Sequence, residues 1–142
     1  MMNIEDREQI WELNKKVLQS GATVKIQLSG TSMFPYLKKN DIGYYQFIAP
    51  ELLQKGDIVA FEQHENFITH RLIKISNSNL FLTRGDACID FDKTIGASAI
   101  IGKLIKIERN GKLISLITPY RNFLHKLFAT HRIFIRLYAK FI

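Results

Sequence analysis

With 142 residues, 46% of them hydrophobic and 23% charged, the chain is long enough for one domain with a real core and too apolar for a disordered polymer. No run approaches the roughly eighteen apolar residues that a spanning helix requires, and the single cysteine, Cys88, excludes an intramolecular disulfide and a cysteine-based metal cluster. The formal net charge of +7 is concentrated: residues 119–142 hold five Lys or Arg and no acid, whereas the first 118 hold fifteen basic and thirteen acidic residues, a net of +2, which argues against a nucleic-acid-binding body.

The opening MMNIEDREQIWELNKK carries acids and lacks the apolar core of a secretory signal, so a reducing, cytoplasmic setting is expected. Residues 4–19 read as a helix. Asn3 can cap it, Asp6 sits in the first turn, and Gly21 stands at the C-terminal end. Ile10, Leu13 and Val17 share one of its faces. From Val24 the apolar period becomes two, predicting strands at 24–29, 42–47, 57–62, 67–75, 80–84, 99–108 and 112–117. The links KKND, QKGD, QHEN, SNSN and RNG are turn-like, and Asn110-Gly111 is a strong hairpin signal. The expected fold class is therefore mainly β, antiparallel, with an N-terminal helix on a body spanning 1–118.

From Pro119 the helical period returns, predicting a basic amphipathic tail over 119–142. Phe123, Leu124, Leu127, Phe128, Phe134, Ile135, Tyr138 and Phe141 fall near one side. Arg121, His125, Arg132, Arg136 and Lys140 fall largely on the other. His131 interrupts the apolar side, and Thr130 marks a break between two shorter helices. Two packings suit such a segment: Phe123, Leu127, Phe134 and Tyr138 on the body or on a second copy, or the whole segment lying on a membrane surface as a peripheral contact.

The strand pattern breaks at SGTSMFPYL, residues 29–37, where three hydroxyls surround a glycine and a proline follows. Gly, Ser and Thr are ordinary turn formers, and Pro35 stops a strand from continuing. A serine nucleophile there would need a base and an orienting group elsewhere in the chain. FITHRLIKI, residues 67–75, puts His70 within a strand pattern, and LFLTRGDACIDFD, residues 80–92, supplies Asp86, Asp90 and Asp92. Each alone reads first as structure or loop solvation.

Taken in order, SGTSMFPYL, KGDIVAF, THRLIKI, FLTRGDACIDFD and IIGKLIKI resemble the successive boxes of the type I signal peptidase superfamily. The nearest pattern is its Ser-His branch, and the resemblance covers roughly residues 28–107. It implies a signal-peptidase/LexA-like antiparallel β fold and a serine peptidase. Ser32 would be the nucleophile and His70 the base, with Asp86 and a further downstream Asp assisting. That further Asp is Asp90 or Asp92, the latter favoured by its spacing from Gly-Asp. Ser29, Gly30, Thr31, Met33 and Pro35 would shape the oxyanion and substrate-binding surface. No cofactor or metal is implied.

The residue types suit this chemistry. A serine hydroxyl needs a neighbour to take its proton, and an ordinary imidazole titrates near 6.5, within reach of neutrality. A carboxylate can hold the imidazole tautomer and stabilise the imidazolium. The family's N-terminal membrane anchor has no counterpart in the polar opening helix. The expected function is therefore a small serine endopeptidase acting on a peptide or protein precursor, with leader-peptide removal in peptide maturation as its context. Two alternatives remain open: a LexA-like self-cleaving regulator, for which Ser20-Gly21-Ala22 is the one junction on offer, and a non-catalytic module that adds a peptide along a strand edge.

Overall fold

The computed structural model describes residues 3–64 and 66–141. Met1, Met2, Glu65 (within the QHEN turn) and Ile142 (within the tail segment) lie outside the described residues. Helix α1 (Ile4–Gln19) begins at Asn3, whose side chain accepts from the Asp6 N–H at 2.7 Å while Asp6 accepts from the Asn3 N–H at 3.3 Å. This reciprocal box satisfies two donors that the first turn would otherwise leave free.

Among the described residues eight strands follow in one sheet: β1 (Val24–Gln27), β2 (Ile42–Gln46), β3 (Ile58–Gln63), β4 (Asn66–Ile75), β5 (Leu80–Arg84), β6 (Ile95–Gly96), β7 (Ile100–Arg109) and β8 (Lys112–Ser115). The spatial order is β1-β2-β7-β3-β4-β5-β6, with β8 also paired to β7, and every pairing is antiparallel. The mainly β, antiparallel class read from the sequence is the observed one, and each predicted strand is present. The Asn110-Gly111 turn joins β7 to β8, with Arg109 opposite Lys112 and φ of 52° and 74° at the two turn residues, as a tight hairpin demands.

The sheet is apolar on both faces. Along β3, Ile58 and Ala60 enter one core cluster with Leu18, Tyr36, Tyr45, Leu104, Phe128 and Ile135. Val59 and Phe61 enter a second with Leu72, Phe81, Ile95 and Ile100. Strand alternation alone sends neighbours to opposite sides.

The orientation of α1 differs from the sequence expectation. Ile10 and Leu13 are 47% and 60% exposed; of the three residues named, Val17 packs inward, beside Trp11 and Leu18. Trp11 meets Phe67 edge-on at 4.6 Å between ring centroids. The two candidate stripes are one residue, about 100°, apart, and the larger indole decides which one faces the sheet.

The tail segment folds as two helices, α2 (Pro119–Thr130) and α3 (Ile133–Tyr138), with the break at His131. Phe128 and Ile135 are each 1% exposed and belong to the core cluster on the helical side of the sheet. The predicted apolar side is split. Leu124 and Tyr138 also pack inward, but Phe123 remains 65% exposed. His125, expected on the polar side, is buried and meets the Tyr36 hydroxyl through Nε2 at 2.6 Å. Gly56 makes this docking close. At φ +97° it adopts a conformation few side chains tolerate, and a Cβ there would fall 2.4 Å from the His125 carbonyl carbon.

Burial, followed by the nearby charges of Arg71, Arg121 and Lys103, pushes the His125 imidazole down to about 2. The folded chain therefore resists protonating it, whereas the unfolded chain takes up the proton near 6.5. The stability this site contributes is complete above about pH 6.5 and is withdrawn as pH falls from there toward 2. Its share of the slope is about 1.4 kcal/mol per pH unit at most. Thermal melts between pH 7 and pH 4 should fall steeply for the parent chain and less steeply for His125→Gln, although the variant starts lower. Parallel curves would show that His125 is not the titrating group.

Candidate active site

The chain leaves β1 through Leu28, whose N–H donates to the Asp41 carbonyl at 2.8 Å, and enters the turn that carries Ser32. The far end of that turn is fixed by Arg109. Its guanidinium binds both Asp41 carboxylate oxygens at 2.8 and 2.6 Å and the Tyr36 carbonyl at 2.9 Å. Charge-assisted, bidentate bonds of this kind hold a loop in one geometry. The Phe34–Pro35 peptide within it is cis.

His70 stands on β4 opposite Val59 of β3, and β5 pairs with β4 only from Arg71 onward. The ring is 7% exposed. Its Nε2 lies 3.0 Å from Ser32 Oγ, and its Nδ1 lies 2.6 Å from Asp92 Oδ2. Thr83 Oγ1 donates to the same carboxylate oxygen at 2.7 Å, and the Asp92 N–H is tied to the Thr83 carbonyl at 3.0 Å. An ionised carboxylate can only accept, so Nδ1 carries the proton in this pairing and Nε2 presents its lone pair to the serine hydroxyl. That is the orientation in which an imidazole can remove a hydroxyl proton.

Of the three acids named from sequence, Asp92 joins this line and the other two do not. Asp90 is exposed. Asp86 is 7% exposed and gives both carboxylate oxygens to Arg71, at 2.8 Å from Nε and 2.7 Å from Nη2. The geometry thus places Asp86 on Arg71 and Asp92 on His70. Successive residues on a strand face opposite ways, so His70 looks into the groove while Arg71 looks into the core, and Asp86 follows the arginine.

Ser29, Gly30, Ser32, Met33 and His70 line a groove of about 410 Å³ together with Ile26, Leu28, Phe67 and Ile68. Thr31 is exposed and is not among the lining residues; Pro35 faces a different cavity on the far side of the turn. Among the described residues, the N–H groups of Gly30, Thr31, Ser32 and Met33 donate to no backbone carbonyl, leaving a set of free donors beside the hydroxyl.

Two contributors were missed in the sequence. Thr83 could be found only once the register of β5 placed it beside Asp92. Gly85 reads as half of a turn dipeptide, yet a Cβ there would lie 2.6 Å from the Ser32 carbonyl oxygen, 2.7 Å from Cys88 Sγ and 3.0 Å from His70 Nε2. It is the residue that lets the Gly85–Asp92 loop approach the serine turn, which it also grips through the Ala87 N–H to the Ser32 carbonyl at 2.8 Å. Half-buried Cys88 borders the same space.

Among the described residues no group of three or more His, Cys, Asp or Glu side chains is placed to hold a metal ion, and none of the helices is long and apolar enough to cross a membrane. No family model and no curated protein matches the chain.

The two aspartates should separate in a stability assay. Asp86→Asn strands a fully buried guanidinium and should cost about 3–5 kcal/mol in chemical denaturation. Asp92→Asn removes a partly solvated acceptor and should cost on the order of 1–2 kcal/mol. An Asp86→Asn protein as stable as the parent would overturn the structural assignment of that pair.

Proposed function

We propose that the protein is a serine endopeptidase in which Ser32 is the nucleophile, His70 the general base and Asp92 the residue that orients the imidazole. The observation that carries this reading is the continuous hydrogen-bonded line from Ser32 Oγ through both ring nitrogens of His70 to the Asp92 carboxylate. A buried histidine needs one partner to be satisfied; a line that ends on a half-buried hydroxyl at the wall of an open groove has a further use.

In the proposed reaction Ser32 Oγ attacks a peptide carbonyl carbon as His70 Nε2 takes its proton. The tetrahedral oxyanion is met by the Ser32 N–H and a neighbouring donor of the 29–33 turn. Collapse breaks the C–N bond, and His70 returns the proton to the leaving amine. Water, activated by the same imidazole, then hydrolyses the Ser32 ester. Asp92 stays ionised throughout.

The substrate fits as an extended chain. β1 is a terminal strand of the sheet, and residues 66–70 of β4 pair with β3 only, so two unpaired strand edges flank the groove. A peptide laid between them would gain main-chain bonds, with Ile26, Leu28, Met33, Leu37 and Phe67 receiving apolar side chains. The resemblance to small soluble peptidases of the signal peptidase superfamily points the same way, with precursor maturation as the context.

Ser32→Ala and His70→Ala should each lower peptidase turnover by about 10³-fold or more. The double variant should lose little beyond either, since the two act as a unit. Asp92→Asn should lower kcat on the order of 10³–10⁴-fold with KM little changed, whereas Cys88→Ser should retain activity. A fluorophosphonate probe should label the parent chain at Ser32 and fail on His70→Ala. Full turnover by a clean Ser32→Ala preparation would refute the assignment.

A further inference from the structure

The turn that presents Ser32 to the groove has a second side. There Phe34 and Pro35, with α3 opposite, bound a cavity of about 740 Å³, and Lys38, Arg132, Arg136 and Lys140 bring four cations to its walls. The one carboxylate in the lining, Asp86, has a side chain 2% exposed and both oxygens bound by Arg71. Among the described residues no acid lies within ion-pairing distance of any of the four. This contrasts with Lys15, Arg71, Lys103 and Arg109, which each have a carboxylate partner. Four cations without a carboxylate partner among the described residues converge on this concavity, which favours an anionic ligand.

The surface beside it is apolar. Phe134, Leu137 and Phe141 are 38%, 53% and 83% exposed, and they line a shallow groove between α2 and α3 together with Tyr120, itself 65% exposed. Ile133 at the start of α3 is 66% exposed and Phe34 at the cavity mouth 54%. α3 therefore runs between a basic cavity on one flank and an apolar shelf on the other.

We infer that the α2–α3 face docks on an anionic phospholipid surface, with a phosphate-bearing headgroup in the basic cavity and acyl chains against the exposed apolar residues. Cationic and large apolar side chains interleaved on one acid-free segment match an interface that is charged at its surface and oily beneath. A second copy is a poor occupant, because an isologous contact would bring two acid-free cationic faces together. A nucleic acid would satisfy the cations and leave Leu137 and Phe141 without a use. The docked face includes Phe34 and Pro35 of the turn whose other side carries Ser32. The docking itself is independent of the proposed catalysis.

The test is co-sedimentation of the full chain with phosphatidylcholine vesicles, with and without about one-third phosphatidylglycerol. The parent chain should bind the anionic vesicles, release progressively as salt rises, and leave the neutral ones. Arg136→Gln with Lys140→Gln, and separately Leu137→Ser with Phe141→Ser, should each weaken binding about tenfold or more. All four side chains are exposed, and circular dichroism of each double variant should match the parent. Lack of binding, equal binding to both vesicle types, or variants that bind like the parent would overturn the inference. So would capture of inorganic phosphate or RNA without vesicle binding, or a dimer that depends on Leu137 and Phe141. Peptidase activity enters none of these readouts, so a failed catalytic assignment would leave this result interpretable.

Discussion

The buried pair of Arg71 and Asp86 is the constraint on which both sides of the Ser32 turn depend. Removing a guanidinium and a carboxylate from water costs several kcal/mol for each, and the structure offsets this with every means at hand. The carboxylate is bound bidentately, Nη1 donates to the Gly56 carbonyl at 3.1 Å, and the guanidinium lies over Tyr36 and Phe128 at 5.0 and 5.4 Å from their ring centroids. Those contacts join β4, the Gly56 turn, the end of the serine turn and α2. Asp86 then hands the constraint on, since its carbonyl accepts from Arg132 at 3.1 Å and its neighbour Gly85 abuts Ser32 and His70. A pair of this kind adds little net stability over a well-packed apolar core; what it does here is tie four segments to one another.

The same constraint engages the helical tail with the body. α2 supplies Phe128 to the guanidinium's stacking surface and His125 to the Tyr36 hydroxyl. The five basic residues of 119–142 give the segment the look of an appendage in the sequence, but its buried positions complete the core on one side of the sheet. Charge and periodicity describe its outer surface correctly and say nothing of how deeply its inner one is engaged.

Local features of the fold were legible because they are set within a few residues. A period of two, a capping box at Asn3 and Asp6, and an Asn-Gly hairpin each act at short range. The facing of α1 and the burial of His125 were not legible, because each depends on partners far along the chain: Phe67 for Trp11 and Tyr36 for His125. The same distinction divides the site. The order of the boxes brought Ser32 and His70 forward as a pair, and they are in contact. Asp86, Asp90 and Asp92 look alike as loop acids; their environments differ because Arg71 points away from the groove and Thr83 holds the Asp92 backbone. Strand alternation sends Arg71 away from His70 and the spacing from Gly-Asp favours Asp92, but neither places Thr83 beside it.

The two faces of the serine turn are linked by rigid contacts, and this bears on how the site would work. From the basic cavity, Arg132 reaches the Asp86 carbonyl, the Asp86 side chain is locked on Arg71, and the loop beyond runs on to Asp92 against His70. Each joint is a hydrogen bond or a bidentate pair that the described residues already satisfy, so the line from Ser32 to Asp92 is complete without a ligand. A ligand can shift a site only through a difference in affinity between two states, and here the line from Ser32 to Asp92 has no unmade bond for a ligand to complete. Docking at the basic cavity would therefore act on encounter and orientation of a substrate. A prebuilt line of donors and acceptors suits a reaction that depends on preorganisation, with little reorganisation left to the moment of attack.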